Sequence, residues 1–219
     1  MARRLVVGLL AAAAFAGSAL AGANDPKKRH NAADQAWARA IPIHRADLPG
    51  SGWRVSKDDD DSDGGPKGCK SPNLSDLVAT GEAHDVDFDR GGSLVTSGAT
   101  VFATEREATA AWTRVARMPF TRCFAAALRA GAKGAGASVA IQKTERVRRW
   151  LAPHELGYRF RFTFSAGGSK VAGRVGFYAF ARGRAFGGVA VMSLGRPLQP
   201  ISPALERTLA ATVADRMRR

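Results

Sequence analysis

Alternation of apolar and polar residues dominates the second half of the chain. Large apolar side chains occupy every second position from Leu156 to Phe164, and the same pattern follows over 171–179. Gly167-Gly168 separates these two segments, and a turn at 182–184 leads to a last apolar segment, 186–194. Tight turns between long alternating segments favour antiparallel pairing, so this half predicts a meander of about four strands.

Helical periodicity marks four other segments. Thr104 and Glu107 form a capping box at the start of one of them, and Pro119 interrupts the pattern that follows. Ser202 caps the last segment and Pro203 stands at its first position. The predicted helices cover 32–41, 105–118, a piece around 123–128, and 203–217.

Shorter patterns complete the sequence. Alternation at 85–88 and a run rich in Val and Thr at 94–102 predict two strands, and 53–55 predicts a short extended piece. One helical turn is predicted over 74–78, and the glycine-rich stretch 131–136 is interpreted as a linker. The order α-ββ-α-ββββ-α predicts a single α+β domain, with an antiparallel sheet of about six strands and helices packed on it.

The beginning of the 219-residue chain has the pattern of an export signal. Arg3 and Arg4 precede an apolar run, 5–16, and small residues lead to Ala19-Leu20-Ala21. This pattern is typical of a secretory signal peptide; an uncleaved anchor and twin-arginine export are the alternatives. We therefore expect a secreted protein, extracellular or periplasmic after cleavage. The predicted parts are a signal peptide (1–23), an N-terminal lead-in with a helix (24–44) and a sensor-like binding domain (45–219).

Export changes the interpretation of the two cysteines. In an oxidising compartment, Cys69 and Cys123 favour a disulfide, with two buried thiols as the alternative. The two cysteines are 54 positions apart. On the chain-entropy model, a bridge that closes a loop of this length stabilises a fold by about 4 kcal/mol. A zinc site is disfavoured, because neither cysteine has a second ligand at the short spacing that such sites use. No metal or cofactor is predicted.

Charge is distributed unevenly along the chain. The formal net charge is +14. Residues 24–110 carry 11 basic and 15 acidic residues, whereas 111–219 carry 20 basic and 4 acidic residues. One interpretation is a solvated surface that favours solubility. The other is an anion-binding site within the meander.

The anion-binding interpretation rests on side chains of neighbouring strands. Residues two apart on a strand share a face, so Arg159 and Arg161 lie together. Arg174, Tyr178 and Arg182 occupy polar positions of the next strand. Because a guanidinium group offers a planar fork for phosphate or carboxylate, these five residues are the predicted ligand-binding residues.

Such a group of cations needs a counter-charge. The acidic loop 58–63 can fold over the basic face, or the face can bind an external anion. The external candidates are anionic lipid headgroups, cell-wall phosphate polymers and carboxylated small molecules. Peripheral contact with a membrane surface fits this prediction, whereas the export signal disfavours nucleic acid. The sequence does not specify an oligomeric state.

The acidic loop itself partly matches a calcium-binding loop. Asp59, Asp61, Asp63 and Gly64 stand at the first ligand positions, but Lys70 stands where a bidentate glutamate is needed. A solvated acidic loop is therefore the favoured interpretation.

Signals for catalysis are weak. The sequence contains no G-x-S-x-G, H-E-x-x-H or P-loop motif. Glu145 beside Arg146 is more simply a surface ion pair than half of a catalytic carboxylate pair. A triad assembled from distant residues stays open, since such sites are defined by geometry. The four histidines are scattered: His30, His44, His84 and His154.

One known group shares this layout. A Leu48-Pro49-Gly50 turn, Cys69 before the first strands, and a central helix with Glu107-Ala108 and Cys123 precede the meander and closing helix. Over 45–218 this layout resembles the extracellular sensor domains of PknH-type serine/threonine kinases and, more loosely, secreted PsbP-like domains. The chain departs from the kinases in having one possible disulfide where their sensors usually have two, and no kinase domain or transmembrane tether. The resemblance implies ligand sensing outside the membrane and carries over no binding residue.

These observations predict an exported, non-catalytic domain that binds a ligand or anion at the cell envelope. An envelope hydrolase and a structural secreted protein without a small-molecule ligand are the alternatives.

Overall fold

The computed structural model describes residues 24–56, 69–195 and 201–219. The predicted signal peptide and the candidate calcium ligands Asp59–Gly64 lie outside the described residues. The strands are β1 (Lys27–Lys28), β2 (Arg54–Ser56), β3 (Val78–Arg90), β4 (Ser93–Phe102), β5 (Ser138–Arg146), β6 (His154–Ala166), β7 (Ser169–Arg182) and β8 (Ala185–Gly195). The helices are α1 (Ala32–Ala40), α2 (Glu105–Ala116), α3 (Phe120–Gly134) and α4 (Pro203–Arg216).

All eight strands belong to one sheet, in the order β1-β3-β4-β8-β7-β6-β5, with β2 beside β3. The predicted four-strand meander is confirmed as β5 to β8, and it joins the β3–β4 hairpin through antiparallel pairing of β4 with β8. The short β1 pairs in parallel with β3. Strand β5 therefore ends the sheet at one side, where it pairs with β6.

Helices cover both faces of this sheet. On one face, α1 and α4 pack with the segment 41–48 against apolar residues that include Tyr178 and Phe180 of β7. On the other face, α3 packs on the aromatic side chains of β6, and Phe124 lies 4.5 Å from Phe160 between ring centroids. Alternation along β6 and β7 thus sends one set of side chains towards α3 and the opposite set towards α4.

Local signals explain where the helices begin. Thr104 Oγ1 accepts a hydrogen bond from the Glu107 backbone N–H at 3.2 Å. In turn, the Glu107 carboxylate accepts a hydrogen bond from the Thr104 backbone N–H at 3.0 Å. This confirms the predicted capping box of α2. Ser202 caps α4 by accepting from the Leu205 N–H at 3.1 Å, with Pro203 at the first helical position.

The structure confirms the mixed α+β character and corrects the strand count and order. The described residues form eight strands rather than about six, because the lead-in contributes β1 and the extended piece at 53–55 becomes β2. The predicted linker 131–136 is wrong over most of its length: α3 continues to Gly134, and Ala132 is buried against the sheet. The tertiary contact outweighs the low helix propensity of glycine.

The predicted helical turn over 74–78 is confirmed as a single turn that ends one residue earlier. The Leu77 N–H donates to the Leu74 carbonyl oxygen at 2.9 Å, and the chain enters β3 at Val78. Leu74 and Leu77 are buried against α2.

A disulfide joins Cys69 to Cys123 of α3, with the Cα atoms 5.4 Å apart. This confirms the predicted bridge. In the described part of the chain, every helix is too short or too polar to cross a bilayer.

Candidate functional site

Strand alternation brings three of the five predicted ligand-binding residues together beneath α4. Arg159 of β6 and Arg174 and Tyr178 of β7 all lie on the sheet face that this helix covers. Their shared partner is Glu206, in the first turn of α4. Glu206 is only 2% exposed. We call Arg149, Arg159, Arg174, Tyr178 and Glu206 the Glu206 cluster.

The carboxylate of Glu206 accepts hydrogen bonds at both of its oxygens. Arg159 Nη2 donates to Oε1 at 2.6 Å, and Arg174 Nη2 donates to Oε2 at 2.6 Å. The Tyr178 hydroxyl also donates to Oε1. Arg149 Nη2 lies 3.5 Å from Oε1 and donates to the Tyr178 hydroxyl at 3.1 Å.

A glycine makes room for this contact. Gly176 stands opposite Arg159 in the β6–β7 register. A Cβ atom at position 176 would lie 2.8 Å from Glu206 Oε1, closer than real Cβ contacts allow. Any larger residue there would displace the Glu206 carboxylate from its hydrogen bonds.

Charge and burial set the protonation state of the cluster. Burial by itself would raise the pKa of Glu206, but hydrogen bonds from Tyr178 and Arg159, with the charge of Arg174, hold that pKa below its ordinary value. Burial and the neighbouring Glu206 carboxylate raise the pKa of Tyr178. Glu206 is therefore a carboxylate and Tyr178 a neutral phenol at neutral pH.

One carboxylate does not balance three guanidinium groups. Glu145 lies near the cluster, with Oε2 3.9 Å from Arg159 Nη1, but it also pairs with Lys143. The buried Nε atoms of Arg149 and Arg159 have no hydrogen-bond partner. The cluster and its surroundings thus retain net positive charge.

The other two predicted residues lie outside the cluster. Arg182 donates to the carbonyl oxygens of Leu151 at 2.8 Å and Ala214 at 3.4 Å, so it ties the end of α4 to a loop. Arg161 is exposed, and its Cα pairs with Lys143 of β5 on one side and Arg174 of β7 on the other. Lys143, Arg161 and Arg174 form a row of cations across three strands.

Arg161 differs from its neighbours in this row. Lys143 pairs with Glu145, and Arg174 pairs with Glu206. Within the described residues, no ion pair or hydrogen bond engages the Arg161 guanidinium. Arg161 is therefore the position at which this face offers a cation to solvent.

A second basic region lies at the far end of α4. A cleft of about 640 Å³ is lined there by Arg182, Arg184 and Arg219, with Trp37 beside them. Arg184 is engaged by a bidentate ion pair with Asp34 at 2.7 and 2.9 Å. That contact holds the pKa of Asp34 well below its usual range, against the opposing effect of burial. Arg184 therefore anchors α1 and is not free for a ligand.

The histidines with described side chains do not converge on one site. His30 lies 3.4 Å from Glu82, His44 caps a short 3₁₀ turn, and the ring of His154 packs 5.7 Å from that of Trp112. Among the described residues, no three side chains of the types that bind metals come together.

The sequence analysis missed two members of the Glu206 cluster. Glu206 has a readable signal: it shares the apolar stripe of α4 with Leu209, Val213 and Met217, where a carboxylate needs a buried partner. Arg149 has none, because it lies in an irregular segment whose path no local pattern predicts.

No protein-family model matches the chain, and no curated protein matches it significantly. The resemblance to kinase sensor domains and PsbP-like domains stays a prediction.

Proposed function

We propose that this chain is an exported, non-catalytic domain that binds an anionic ligand or surface at the cell envelope. The observation that carries the proposal is Arg161, an exposed arginine without an ion-pair or hydrogen-bond partner among the described residues, within the row Lys143–Arg161–Arg174. A guanidinium in this setting can offer its fork to a phosphate or carboxylate.

The neighbouring Glu206 cluster supports this function by positioning. It uses Glu206 to hold Arg159 and Arg174 in place, and its excess positive charge adds to the field at Arg161. An anion bound at Arg161 would approach a surface whose cations are already ordered, which reduces the entropy cost of binding. The disulfide is compatible with the proposed export.

Charge reversal at Arg161 tests the proposal against a matched control. Arg129 is an exposed arginine on α3, on the opposite face of the sheet. Arg161→Glu and Arg129→Glu change the net charge equally, so a solvated surface without a site predicts equal effects. We expect Arg161→Glu to elute from a phosphocellulose matrix at clearly lower salt than Arg129→Glu, with both variants folded by circular dichroism.

Two results would contradict the proposal. Equal elution of the two variants would show that binding depends on overall charge alone. Turnover of an envelope substrate by the purified chain would favour the hydrolase alternative instead.

A ligand panel extends the test. Phosphate, citrate and short anionic polymers that bind the folded state raise its unfolding midpoint, by about 2.7 kcal/mol in stability at a hundredfold excess over Kd. The anion that produces this shift in the wild type, and a smaller one in Arg161→Glu, identifies the ligand class.

A further inference from the structure

The loop between β5 and β6 displays a tryptophan to solvent in a backbone conformation that is unfavourable for it. Trp150 is 81% exposed, and its φ angle of 59° is the sole positive value at a non-glycine residue in the described part of the chain. A bulky side chain is rarely found there, and such a conformation persists where surrounding contacts impose it. We call residues 147–153 the Trp150 loop.

A glutamate imposes the conformation. Glu155 Oε1 accepts from the backbone N–H of Arg149 at 2.5 Å, and its Oε2 accepts from the N–H of Leu151 at 2.9 Å. The same carboxylate thus holds the backbone on both sides of Trp150. Arg182 adds a third contact by donating to the Leu151 carbonyl oxygen at 2.8 Å.

The flanking apolar residues point inward while the indole does not. Val147, Leu151 and Ala152 are partly buried against the same side of the core as α4. The Val147 N–H also donates to the Gly157 carbonyl oxygen at 2.8 Å. The Trp150 loop is therefore anchored at both ends and presents one large apolar side chain to solvent.

Two exposed arginines precede this side chain in the sequence. Arg146 and Arg148 are exposed, and the Arg148 guanidinium lies 5.7 Å from the centre of the Trp150 ring system. The loop itself contains no acidic residue, and Glu155, which follows it, is used by the two backbone contacts. An exposed indole beside uncompensated arginines has the composition of a membrane-interface anchor, in which the ring enters the headgroup region and the arginines bind lipid phosphate.

We propose that the Trp150 loop docks the domain on an anionic lipid bilayer, with Trp150 inserted among the headgroups and Arg146 and Arg148 on lipid phosphates. A lipid surface fits better than a folded partner, because a single projecting indole needs a deformable surface or a preformed cavity to bury it. The proposal specifies the partner within the proposed function at the envelope, but it uses different residues from Arg161.

Vesicle binding tests the proposal with the full exported chain. The probe is vesicles of phosphatidylcholine with about half phosphatidylglycerol, and vesicles of phosphatidylcholine alone measure the need for anionic charge. We expect the protein to bind the anionic vesicles, and to bind the neutral vesicles at least fivefold more weakly. An excess of inorganic phosphate distinguishes a free-phosphate site, since it would displace the protein only if single phosphates suffice.

The informative variant is Trp150→Asn. Asparagine accepts a positive φ readily, so the variant should fold with an unchanged or higher unfolding midpoint. We expect it to lose binding to anionic vesicles by tenfold or more, whereas Trp150→Phe keeps most of it. Val55→Asn is the matched control, because Val55 is 61% exposed on β2; it should bind as the wild type does.

Charge and insertion are measured separately. Replacing Arg146 and Arg148 by Gln should weaken binding by about fivefold for each arginine removed, from about 1 kcal/mol per residue near an anionic surface. Nitroxide-labelled lipids should quench the fluorescence of the wild type but quench Trp150→Phe much less, since Trp37 and Trp53 are buried and the half-buried Trp112 packs against His154 and Phe186.

Three results would overturn the proposal. One is wild-type protein that does not bind anionic vesicles; another is equal binding by Trp150→Asn; the third is vesicle binding without tryptophan quenching. Because Arg161→Glu leaves the Trp150 loop intact, elution of that variant at the same salt as Arg129→Glu, with vesicle binding retained, would refute the Arg161 site alone.

Discussion

At the scale of single residues, Glu206 holds the cationic side chains of the sheet against α4. Glu206→Gln removes the carboxylate charge and leaves three guanidinium groups beside a neutral amide, where their desolvation is no longer compensated. Breaking a buried ion pair on one side costs about 3–5 kcal/mol. We expect a loss of this size in the free energy of unfolding, measured in urea at pH 7.

Asp215→Asn in the same helix is the control. Asp215 pairs with Arg218 at 3.0 Å, but both side chains are more than 60% exposed. Surface pairs of this kind contribute between zero and about 1 kcal/mol. Equal losses in the two variants would show that the Glu206 cluster does not stabilise the fold.

The difference in stability between wild type and Glu206→Gln should depend on pH. The pKa of Glu206 is lower in the folded state than its ordinary value of 4.5, so its contribution to stability is complete above that value. This contribution begins to be lost below about pH 4.5, because the Glu206 carboxylate then takes up a proton in the unfolded chain before it does so in the folded one. The loss is complete once the pH has fallen through the lower pKa of the folded state. The stability gap between wild type and Glu206→Gln should therefore narrow below pH 4.5.

At the scale of elements, the backbone of α1 packs directly against the backbone of β3. The position that permits this is Gly81, where an added Cβ would lie 2.2 Å from the Asp34 carbonyl oxygen and 2.8 Å from the Gln35 nitrogen. Both neighbours are backbone atoms and cannot move aside. Gly81→Ala should displace α1 and cost about 1–3 kcal/mol, measured by urea unfolding.

A glycine without near neighbours provides the comparison. Gly134 ends α3, and a Cβ there meets nothing within 4 Å. Gly134→Ala should leave stability unchanged or raise it by up to about 1 kcal/mol through helix propensity. If Gly81→Ala were equally well tolerated, the close contact of α1 with β3 would not constrain the fold.

The elements with local signals were the predictable ones. The capping box at Thr104 and the alternation from Leu156 onward each depend on residues near in sequence, and both are confirmed. Strand β1 was missed because a two-residue parallel pairing with Val78 depends on contacts distant in sequence. The glycine-rich end of α3 was misread because burial of Ala132, rather than propensity, keeps it helical.

At the scale of the whole molecule, much of the positive charge serves as internal structure. Three acidic residues are each matched to arginines across long sequence separations: Asp34 with Arg184, Asp47 with Arg216, and Glu206 with Arg159 and Arg174. These contacts join α1, the 3₁₀ turn and α4 to other parts of the fold. The net charge alone therefore overstates the cations available to a partner.

The difference between arginines that are paired within the fold and arginines that are exposed explains how far the site could be predicted from the sequence. Alternation correctly placed Arg159, Arg174 and Tyr178 on one face, because that depends only on strand geometry. Which element covers the face depends on how α4 docks, and no local pattern specifies that. The sequence could therefore identify the cations but not distinguish the half-buried Arg159, which is paired with Glu206, from the exposed Arg161.

The disulfide fixes the segment before β3 to the rest of the molecule. Cys69 and Cys123 are 54 positions apart, and the bridge ties this segment to α3. On the chain-entropy model, closing a loop of this length restricts the unfolded chain by about 4 kcal/mol. Cys69→Ser combined with Cys123→Ala should lower the free energy of unfolding by roughly that amount.

Reduction of the wild type provides an independent measurement of the same quantity. Wild-type protein unfolded in the presence of dithiothreitol should match the double variant, and dithiothreitol should not change the variant further. Alkylation of the native protein, purified without reductant, should label neither cysteine. Two labelled thiols in the native protein, or equal stability of wild type and double variant, would show that other contacts hold the segment following Cys69, namely the packing of Leu74 and Leu77 against α2 and the pairing of Asp76 with Arg114.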